Sequence, residues 1–322
     1  MSSDSPLVSV IIPAYNAAPT IGEAIRSVLC QTMPDWELIV VNDGSADATA
    51  GQAMQAMRHT AAVTPQDRLR LIGHDTNRGS AAAWQTGLDA ARGRYVTKLD
   101  ADDTLTPDAL LTLTQAAAAN GAQVVRGHYN RVCGRHVSRF GPDRRHTDLN
   151  DHPINVGYFS LCGKIIDRKL FSGSDMAAFP RLDRWEDLGV VARIMALSPV
   201  TATVDVPVYN YNIAPRGGSL STSARERLLA DHIGVARALG QWMESHGMSD
   251  RYREFLLHLR FAAKVKYLRG SRRDVAAWKR TFPEVNGHVM ALRHVPLRYR
   301  LMFAAVASLP TSLTQTLSDI LR

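Results

Sequence analysis

Three carboxylates stand within four residues in the segment Asp100-Ala101-Asp102-Asp103. Like charges this close repel one another unless a cation or several hydrogen-bond donors compensate them. Hard divalent cations prefer carboxylate oxygens and usually keep phosphate oxygens as further ligands. A cation bound here would therefore neutralise charge on a diphosphate leaving group. The alternative is an ordinary turn, in which Asp103 or Thr104 caps the helix that follows.

The residues around this cluster alternate between strand and helix patterns. Short apolar runs end at polar loops, and stretches with apolar residues at helical spacing separate them. Such alternation predicts a parallel sheet covered by helices on both faces, and ligands of these sheets bind beyond the carboxyl ends of the strands. Three loops should therefore meet at one rim: 13–16, 42–45 and 100–103. The predicted strands are 8–12, 37–41, 69–72 and 95–99, and the predicted helices are 20–31, 47–58, 80–92 and 107–120.

Six short motifs in a fixed order carry a resemblance to a known family. They are Val-Ser-Val-Ile-Ile-Pro-Ala-Tyr-Asn at 8–16, Gln-Thr at 31–32, Trp-Glu-Leu-Ile-Val-Val-Asn-Asp-Gly-Ser at 36–45 with an Asp at 47, Asn-Arg-Gly at 77–79, Gly-Arg-Tyr at 93–95 and Leu-Asp-Ala-Asp-Asp at 99–103. Over about residues 7–110 the chain resembles the family 2 glycosyltransferases, which include many bacterial enzymes of capsule, exopolysaccharide and lipopolysaccharide synthesis. The resemblance implies a GT-A fold, which is a Rossmann-like, mostly parallel α/β sheet.

By the same resemblance, the chain is an inverting enzyme that transfers a sugar from a nucleotide diphosphate sugar, with UDP-sugars favoured. The acceptor would be a glycan or a saccharide linked to a polyprenyl diphosphate, and the cofactor Mn²⁺ or Mg²⁺. Two other functions stay open. A sugar nucleotidyltransferase usually carries a basic, Gly-rich loop after the first strand, and residues 13–16 contain no basic residue. A non-catalytic nucleotide-sugar-binding module would not need to keep the metal motif together with the Glu186-Asp187 pair.

The resemblance also assigns donor-binding residues. Pro13 and Tyr15 would contact the nucleobase, with Tyr15 stacking on it, and Asn16 belongs to the same loop. Asp43 would bond to the uracil or the ribose. Each residue has a structural alternative, since Pro13 could only end a strand, Tyr15 could be a core aromatic, and Asp43 with Gly44 could form an ordinary turn.

The carboxylates take separate roles under this interpretation. Asp102 would be the principal metal ligand, and Asp100 would face the ribose and the metal shell. Relatives often carry a Glu-Asp pair about eighty residues beyond the metal motif, and Glu186-Asp187 matches it. We assign Asp187 as the general base that removes the acceptor proton, and Glu186 as a neighbour that orients it or the acceptor. The alternative is a helix N-terminus that attracts acidic residues through its dipole.

Two further features bear on the site. A Gly-rich loop carrying Arg216 could fold over the donor diphosphate, although it could equally be a linker. Lys98 departs from the family, in which an apolar residue is usual at this position. It could be a shielded partner of the acidic cluster or an outward-pointing strand residue, and we expect the second.

Charge and pattern predict two domains. Residues 1–221 would form the catalytic domain, with a nucleotide-binding half at about 7–110 and an acceptor half at about 111–221. Residues 222–322 would form a basic helical region, since residues 216–322 carry 18 Lys or Arg and 8 Asp or Glu.

We expect a cytoplasmic enzyme whose basic region contacts the anionic inner face of the plasma membrane. That region could instead only pack on the catalytic domain. We expect no nucleic-acid partner, because the chain has no recognisable nucleic-acid-binding module.

Overall fold

The computed structural model describes residues 5–58, 66–142, 148–151, 154, 156–177, 179, 182, 184–197, 200–213, 225–268 and 273–314. The chain divides into two compact units, residues 1–147 with 156–217 and residues 148–155 with 218–322. The predicted boundary at 221 lies outside the described residues.

The elements of the first unit alternate as the sequence pattern indicates. The strands are β1 (Val8–Ala14), β2 (Trp36–Asn42), β3 (Leu69–Gly73), β4 (Tyr95–Lys98), β5 (Thr104–Leu105), β6 (Val124–Cys133), β7 (His136–Phe140), β8 (Lys164–Asp167) and β9 (Thr201–Asn212). The helices are α1 (Ile21–Leu29), α2 (Thr49–Arg58), α3 (Ser80–Ala90), α4 (Ala109–Asn120), α5 (Val156–Phe159) and α6 (Glu186–Leu197).

The nine strands of the described residues form one sheet in the order β3-β2-β1-β4-β8-β6-β9-β5, with β7 paired to β6. Strands β1 to β4 pair in parallel, so their carboxyl ends lie at one rim. The later strands add antiparallel pairs, β8 against β4 and β6, and β5 against β9. The predicted α/β class is confirmed, and its parallel part is the segment with the alternating pattern.

Strand β1 lies at the centre of the parallel part, between β2 and β4. Ile11 is fully buried, and α3 packs directly on it through Gly87. A Cβ at Gly87 would fall 2.3 Å from Ile11 Cγ2, closer than carbon atoms can approach. The absence of a side chain therefore lets α3 lie close to the sheet.

One charged residue is buried in β2 among these apolar strands. Glu37 is fully buried and accepts hydrogen bonds from Ser9 Oγ at 2.6 Å and from the backbone N–H of Arg92 at 2.6 Å. Its other oxygen is 2.6 Å from an Arg70 guanidinium nitrogen. Burial raises the pKa of Glu37, but these hydrogen bonds and the guanidinium outweigh it and leave the pKa below its ordinary value. The ionised carboxylate thus joins β1, β2, β3 and the turn before β4.

The second unit is helical in the residues that the structure describes, as predicted. Its helices are α7 (Arg225–Ser245), α8 (Arg253–Lys264), α9 (Val275–Arg280) and α10 (Leu297–Ser308). Its core includes Phe261, Trp278 and Phe303, with ring centroids of Phe261 and Phe303 5.0 Å apart. Within the described part of the chain, none of the helices combines the length and apolar character that crossing a bilayer requires.

Candidate active site

The loops after β1 and β2 hold each other in place at the rim of the sheet. The backbone N–H of Asn16 donates to Ser45 Oγ at 3.0 Å, and the Asn16 side-chain oxygen accepts from the backbone N–H of Ala46 at 3.0 Å. Asn16 has a φ of 49°, which an asparagine side chain tolerates better than most. Asn16 thus shapes the rim, whatever it contacts in a ligand.

Pro13, near the end of β1, and Tyr15, just after it, differ in exposure. Pro13 is the sixth residue of β1 and is half-buried. The Tyr15 residue is 47% exposed, so it is not a core aromatic and its ring is available to a ligand. Its predicted stacking on a nucleobase stays a prediction.

Asp43 is buried beneath the loop after β2 and fastens the segment that precedes α3. Its carboxylate accepts from the backbone N–H groups of Arg78 at 2.9 Å and Gly79 at 2.8 Å, and lies 2.6 Å from His74 Nδ1. The neighbouring Gly44 has a φ of +65°, and a Cβ there would lie 2.4 Å from the carbonyl carbon of Thr76. These contacts give Asp43 a structural task, and its predicted role toward uracil or ribose stays untested.

The acidic cluster after β4 divides into one buried and two accessible carboxylates. Asp103 is 1% exposed and accepts hydrogen bonds from Tyr209 Oη and from the backbone N–H of Asn212, both at 2.8 Å. Burial, and after it the Asp100 carboxylate, raises the pKa of Asp103 to about 8. Asp103 therefore ties the cluster to the end of β9. It does not cap α4, which begins at Ala109 with Asp108 as the residue before it.

Asp100 and Asp102 are the members of the cluster that solvent reaches. The Asp100 side chain is 41% exposed, and Asp102 is an exposed residue. Among the described residues, His, Cys, Asp and Glu side chains nowhere form a group of three or more that could hold a metal by themselves. Two carboxylates suit a hard divalent cation that completes its shell with phosphate and water oxygens. The two residues therefore fit the predicted cation, with the ligand providing part of the shell.

Lys98 contradicts our expectation that it points outward from the strand. The residue is 3% exposed, and its ammonium nitrogen lies 3.0 Å from Asp187 Oδ1, 3.4 Å from Asp100 Oδ1 and 3.5 Å from Glu186 Oε1. Burial works to lower the pKa of Lys98, but Asp100, Asp187 and Glu186 outweigh it and leave the pKa well above the ordinary value. The expectation was wrong because the partners that compensate the buried charge come mostly from a distant segment.

Asp187 and Glu186 open α6 and reach the rim from the later part of the first unit. Asp187 Oδ2 accepts from Ser160 Oγ at 3.1 Å and from the backbone N–H of Leu161 at 3.0 Å, and Lys98 contacts Oδ1. Glu186 Oε1 accepts from Ser80 Oγ at 3.2 Å. Burial raises the pKa of Glu186 to about 7, against the opposing effect of Lys98. The second carboxylate pair thus meets the first across one shared ammonium group.

The residue before this pair is held in an unusual backbone conformation. Trp185 has a φ of 63°, which is rare for a bulky residue, and its carbonyl accepts from the backbone N–H of Gly189 in the first turn of α6. Such conformations persist where the surrounding structure fixes them, and they are common at functional sites. The left-handed turn sets the direction in which Glu186 and Asp187 enter the rim.

Sequence reasoning missed several residues that build the site. Tyr209, near the end of β9, is 1% exposed and supports the acidic cluster. Ser80 and Ser160 carried no signal beyond their residue type. Lys98 did carry one, because a lysine interrupts an otherwise apolar strand. Arg216 and its loop lie outside the described residues.

The fold and rim define an α/β protein with polar loops gathered at the carboxyl ends of parallel strands, and comparisons with known proteins agree. A model of glycosyl transferase family 2 matches residues 9–173. The chain is 44% identical over 243 residues to the succinoglycan biosynthesis protein ExoO of Rhizobium meliloti (strain 1021), covering 71% of this chain and 65% of ExoO. It is 33% identical over 140 residues to the UDP-Glc:alpha-D-GlcNAc-diphosphoundecaprenol beta-1,3-glucosyltransferase WfgD of Escherichia coli, covering 42% of this chain and 52% of WfgD.

Solved structures show the same fold. Residues 1–349 of S. aureus TarS align with a TM-score of 0.69 at 19% identity, covering 98% of this chain and 88% of that one. A complex of the same TarS fragment with UDP-GlcNAc aligns with a TM-score of 0.63 at 18% identity over the same shares of the two chains. The mannosyltransferase PcManGT of Pyrobaculum calidifontis, in complex with GDP-Man and Mn²⁺, aligns with a TM-score of 0.54 at 19% identity, covering 99% and 85%.

The chain belongs to glycosyl transferase family 2, because the family model covers half of it. The predicted GT-A fold is confirmed by the likeness to solved structures. The matched region spans less than two thirds of the length of either ExoO or WfgD.

Proposed function

We propose that this protein is an inverting glycosyltransferase of bacterial cell-surface polysaccharide synthesis that takes its sugar from a UDP-sugar. The observation that carries the proposal is that the Lys98 ammonium brings Glu186 and Asp187 together with Asp100, which shares its acidic loop with Asp102. One pair suits a cation and a diphosphate, and the other suits proton transfer. A non-catalytic binding module would need only the first pair.

The donor would lie across the loops after β1, β2 and β4. The exposed ring of Tyr15 offers a surface for a nucleobase, with Pro13 at the end of β1 and Asn16 next to it in the loop. Asp43 would bond to the uracil or the ribose, and it also holds the backbone of Arg78 and Gly79. Arg216 would neutralise the diphosphate. TarS is described in complex with UDP-GlcNAc, and WfgD is named for UDP-Glc, which favours a uridine nucleotide.

Asp100 and Asp102 would hold a divalent cation, Mn²⁺ or Mg²⁺. The chemistry that such an ion supplies is neutralisation of charge on the departing diphosphate. The exposure of the two carboxylates leaves room for phosphate oxygens, and PcManGT is described with Mn²⁺ bound. A nucleotidyltransferase could use a similar cation, but the loop at 13–16 has no basic residue to contact a triphosphate.

Asp187 would be the general base. It would take the proton of an acceptor hydroxyl while that oxygen attacks the anomeric carbon and the bond from that carbon to the diphosphate breaks. Attack from the face opposite the leaving group inverts the anomeric configuration. The three donors around Asp187 fix its carboxylate plane and leave one lone pair of Oδ1 for the hydroxyl proton. Glu186 would orient Asp187 or the acceptor.

The acceptor would be a glycan or a saccharide on a polyprenyl diphosphate, since the WfgD name describes such a lipid-linked acceptor.

The second unit would then contact an anionic membrane surface. Helix α10 exposes Leu297 and Leu301, each 55% exposed, one turn apart on one side of the helix, with the exposed Arg298 next to Leu297 in the chain. An apolar face beside arginine suits an anionic bilayer. Sedimentation with vesicles should require anionic lipid and weaken in Leu297→Ser/Leu301→Ser, and equal binding to neutral vesicles would contradict the proposal.

A thermal-shift screen of nucleotide sugars, with and without Mn²⁺, tests the donor. We expect the largest stabilisation from one UDP-sugar and only in the presence of the ion. Hydrolysis of that donor by the wild type, and its reduction by about 10²–10⁴-fold in Asp187→Asn, would separate an enzyme from a binding module. Stabilisation by nucleoside triphosphates with release of pyrophosphate would instead establish a nucleotidyltransferase.

A further inference from the structure

Lys98 is the last residue of β4 and is placed among carboxylates from two separate segments. Its ammonium lies within 3.5 Å of Asp100, Glu186 and Asp187, and its side chain is only 4% exposed. A buried lysine loses its hydration, which costs several kcal/mol unless nearby charges compensate it. Here three carboxylates provide that compensation.

Asp187 has contacts that fix both of its oxygens. Ser160 Oγ and the backbone N–H of Leu161 hold Oδ2, and Lys98 holds Oδ1 at 3.0 Å. Without the ammonium, the carboxylate would be held at one oxygen only. It would also face the negative charges of Glu186 and Asp100 without a cation between them.

The geometry points to Lys98 as a positioning residue that holds the general base Asp187 toward the acceptor and ties it to the loop after β4 that carries Asp100. This inference rests on the proposed function. Strand β4 continues directly into the cluster that would hold the donor, so the ammonium links the position of the base to that of the leaving group. Lys98 would act through Asp187 and would not contact the substrate itself.

A double-mutant cycle tests this inference, with kcat and KM for donor hydrolysis and transfer as the measurements. We expect Lys98→Met to lower kcat by about 100-fold, the loss typical of a misplaced catalytic group, with a much smaller change in the donor KM. In the Asp187→Asn background the same change should cost less than about threefold, because the group through which Lys98 acts is already missing. Lys98→Arg, which keeps the charge, should recover part of kcat.

The matched control is Lys169→Met, which removes an exposed lysine and should leave kcat unchanged. Lys98→Met leaves three carboxylates without their cation and could fail to fold. Lys98→Met/Glu186→Gln removes one of those charges as well, and its kcat is then compared with that of Glu186→Gln alone. Thermal denaturation and UDP binding show whether each variant is folded.

Equal losses from Lys98→Met in the wild-type and Asp187→Asn backgrounds would overturn the inference, as would an unchanged kcat in a folded Lys98→Met variant. Either result leaves the proposed function intact, provided that the wild type hydrolyses or transfers a sugar. A wild type that binds nucleotide sugars but does neither overturns the proposed function and this inference with it.

Discussion

The hydroxyl of Tyr209 donates to Asp103 Oδ2 at 2.8 Å and accepts from the backbone N–H of Asp100 at 3.1 Å. A residue near the end of β9 thus holds the acidic loop that follows β4, across 106 positions of the chain. The hydrogen bonds fix the backbone from which Asp100 and Asp102 project. The shape of the proposed cation site therefore depends on a residue that would not touch the cation.

Replacing Tyr209 by phenylalanine should weaken the hydrogen bonds that hold the acidic loop at 100–103 without leaving a cavity in the core. The ring remains, but Asp103 and the N–H of Asp100 lose a partner, which costs about 1–2 kcal/mol of unfolding free energy. We also expect weaker Mn²⁺-dependent UDP binding by calorimetry. Tyr211→Phe, at a residue that is 37% exposed, is the control and should change neither quantity. Wild-type affinity in a folded Tyr209→Phe variant would show that the loop does not need this support.

Replacing Asp102 by alanine should abolish metal-dependent UDP binding while leaving the fold intact. Asp102 is exposed, so its loss opens no cavity, but the proposed cation would keep only one carboxylate. Calorimetric titration with UDP in the presence and absence of Mn²⁺ measures the effect. Asp89→Ala removes another exposed carboxylate, on α3, and should bind UDP as the wild type does. Unchanged UDP affinity in Asp102→Ala with Mn²⁺ would rule out Asp102 as a metal ligand.

Glu186 should make the reaction sensitive to pH near neutrality. Burial raises its pKa to about 7, so the group is neutral below that pH and a carboxylate above it. If the carboxylate orients the base or acceptor, kcat/KM rises through about pH 7 in the wild type, and Glu186→Gln removes this rise. Asp187→Asn should instead lower kcat by about 10²–10⁴-fold across the pH range, as expected for loss of a general base. The same rise near pH 7 in Glu186→Gln would assign it to another group.

Glu37 should make the stability of the fold depend on acid pH. Its pKa in the folded state lies below the ordinary value of 4.5. As the pH falls below 4.5, the unfolded chain takes up a proton before the folded one does, so stability is present above this pH and is lost as the pH falls through the folded pKa. Glu37→Gln should lower the unfolding free energy at pH 7 by about 3 kcal/mol. It should also flatten the acid limb of the denaturation profile, with Glu23→Gln, an exposed position on α1, as the control.

Most strands and helices of the parallel part of the sheet could be predicted from the sequence. Strands such as β1 and β2 are near-continuous apolar runs because helices cover the sheet, and each run ends where polar loops begin. The later strands were harder to predict, because β6 and β9 are long, carry mixed residues and expose parts of their length. Their pairing depends on the tertiary fold and not on a local period.

The order of the motifs in the sequence determined the family, the α/β alternation and the rim at which Asp43, Asp100 and Asp102 would gather. The family follows from the motifs themselves, whereas the alternation and the rim follow from local periodicity and from the rule that parallel strands present their carboxyl ends together. Only the tertiary structure decided that Lys98 points inward and that Asp103 supports the loop. Both outcomes depend on partners 89 and 106 residues away, Asp187 and Tyr209. A buried charged or polar group is stable only where its partners converge in space, and no local pattern records which distant residues those are.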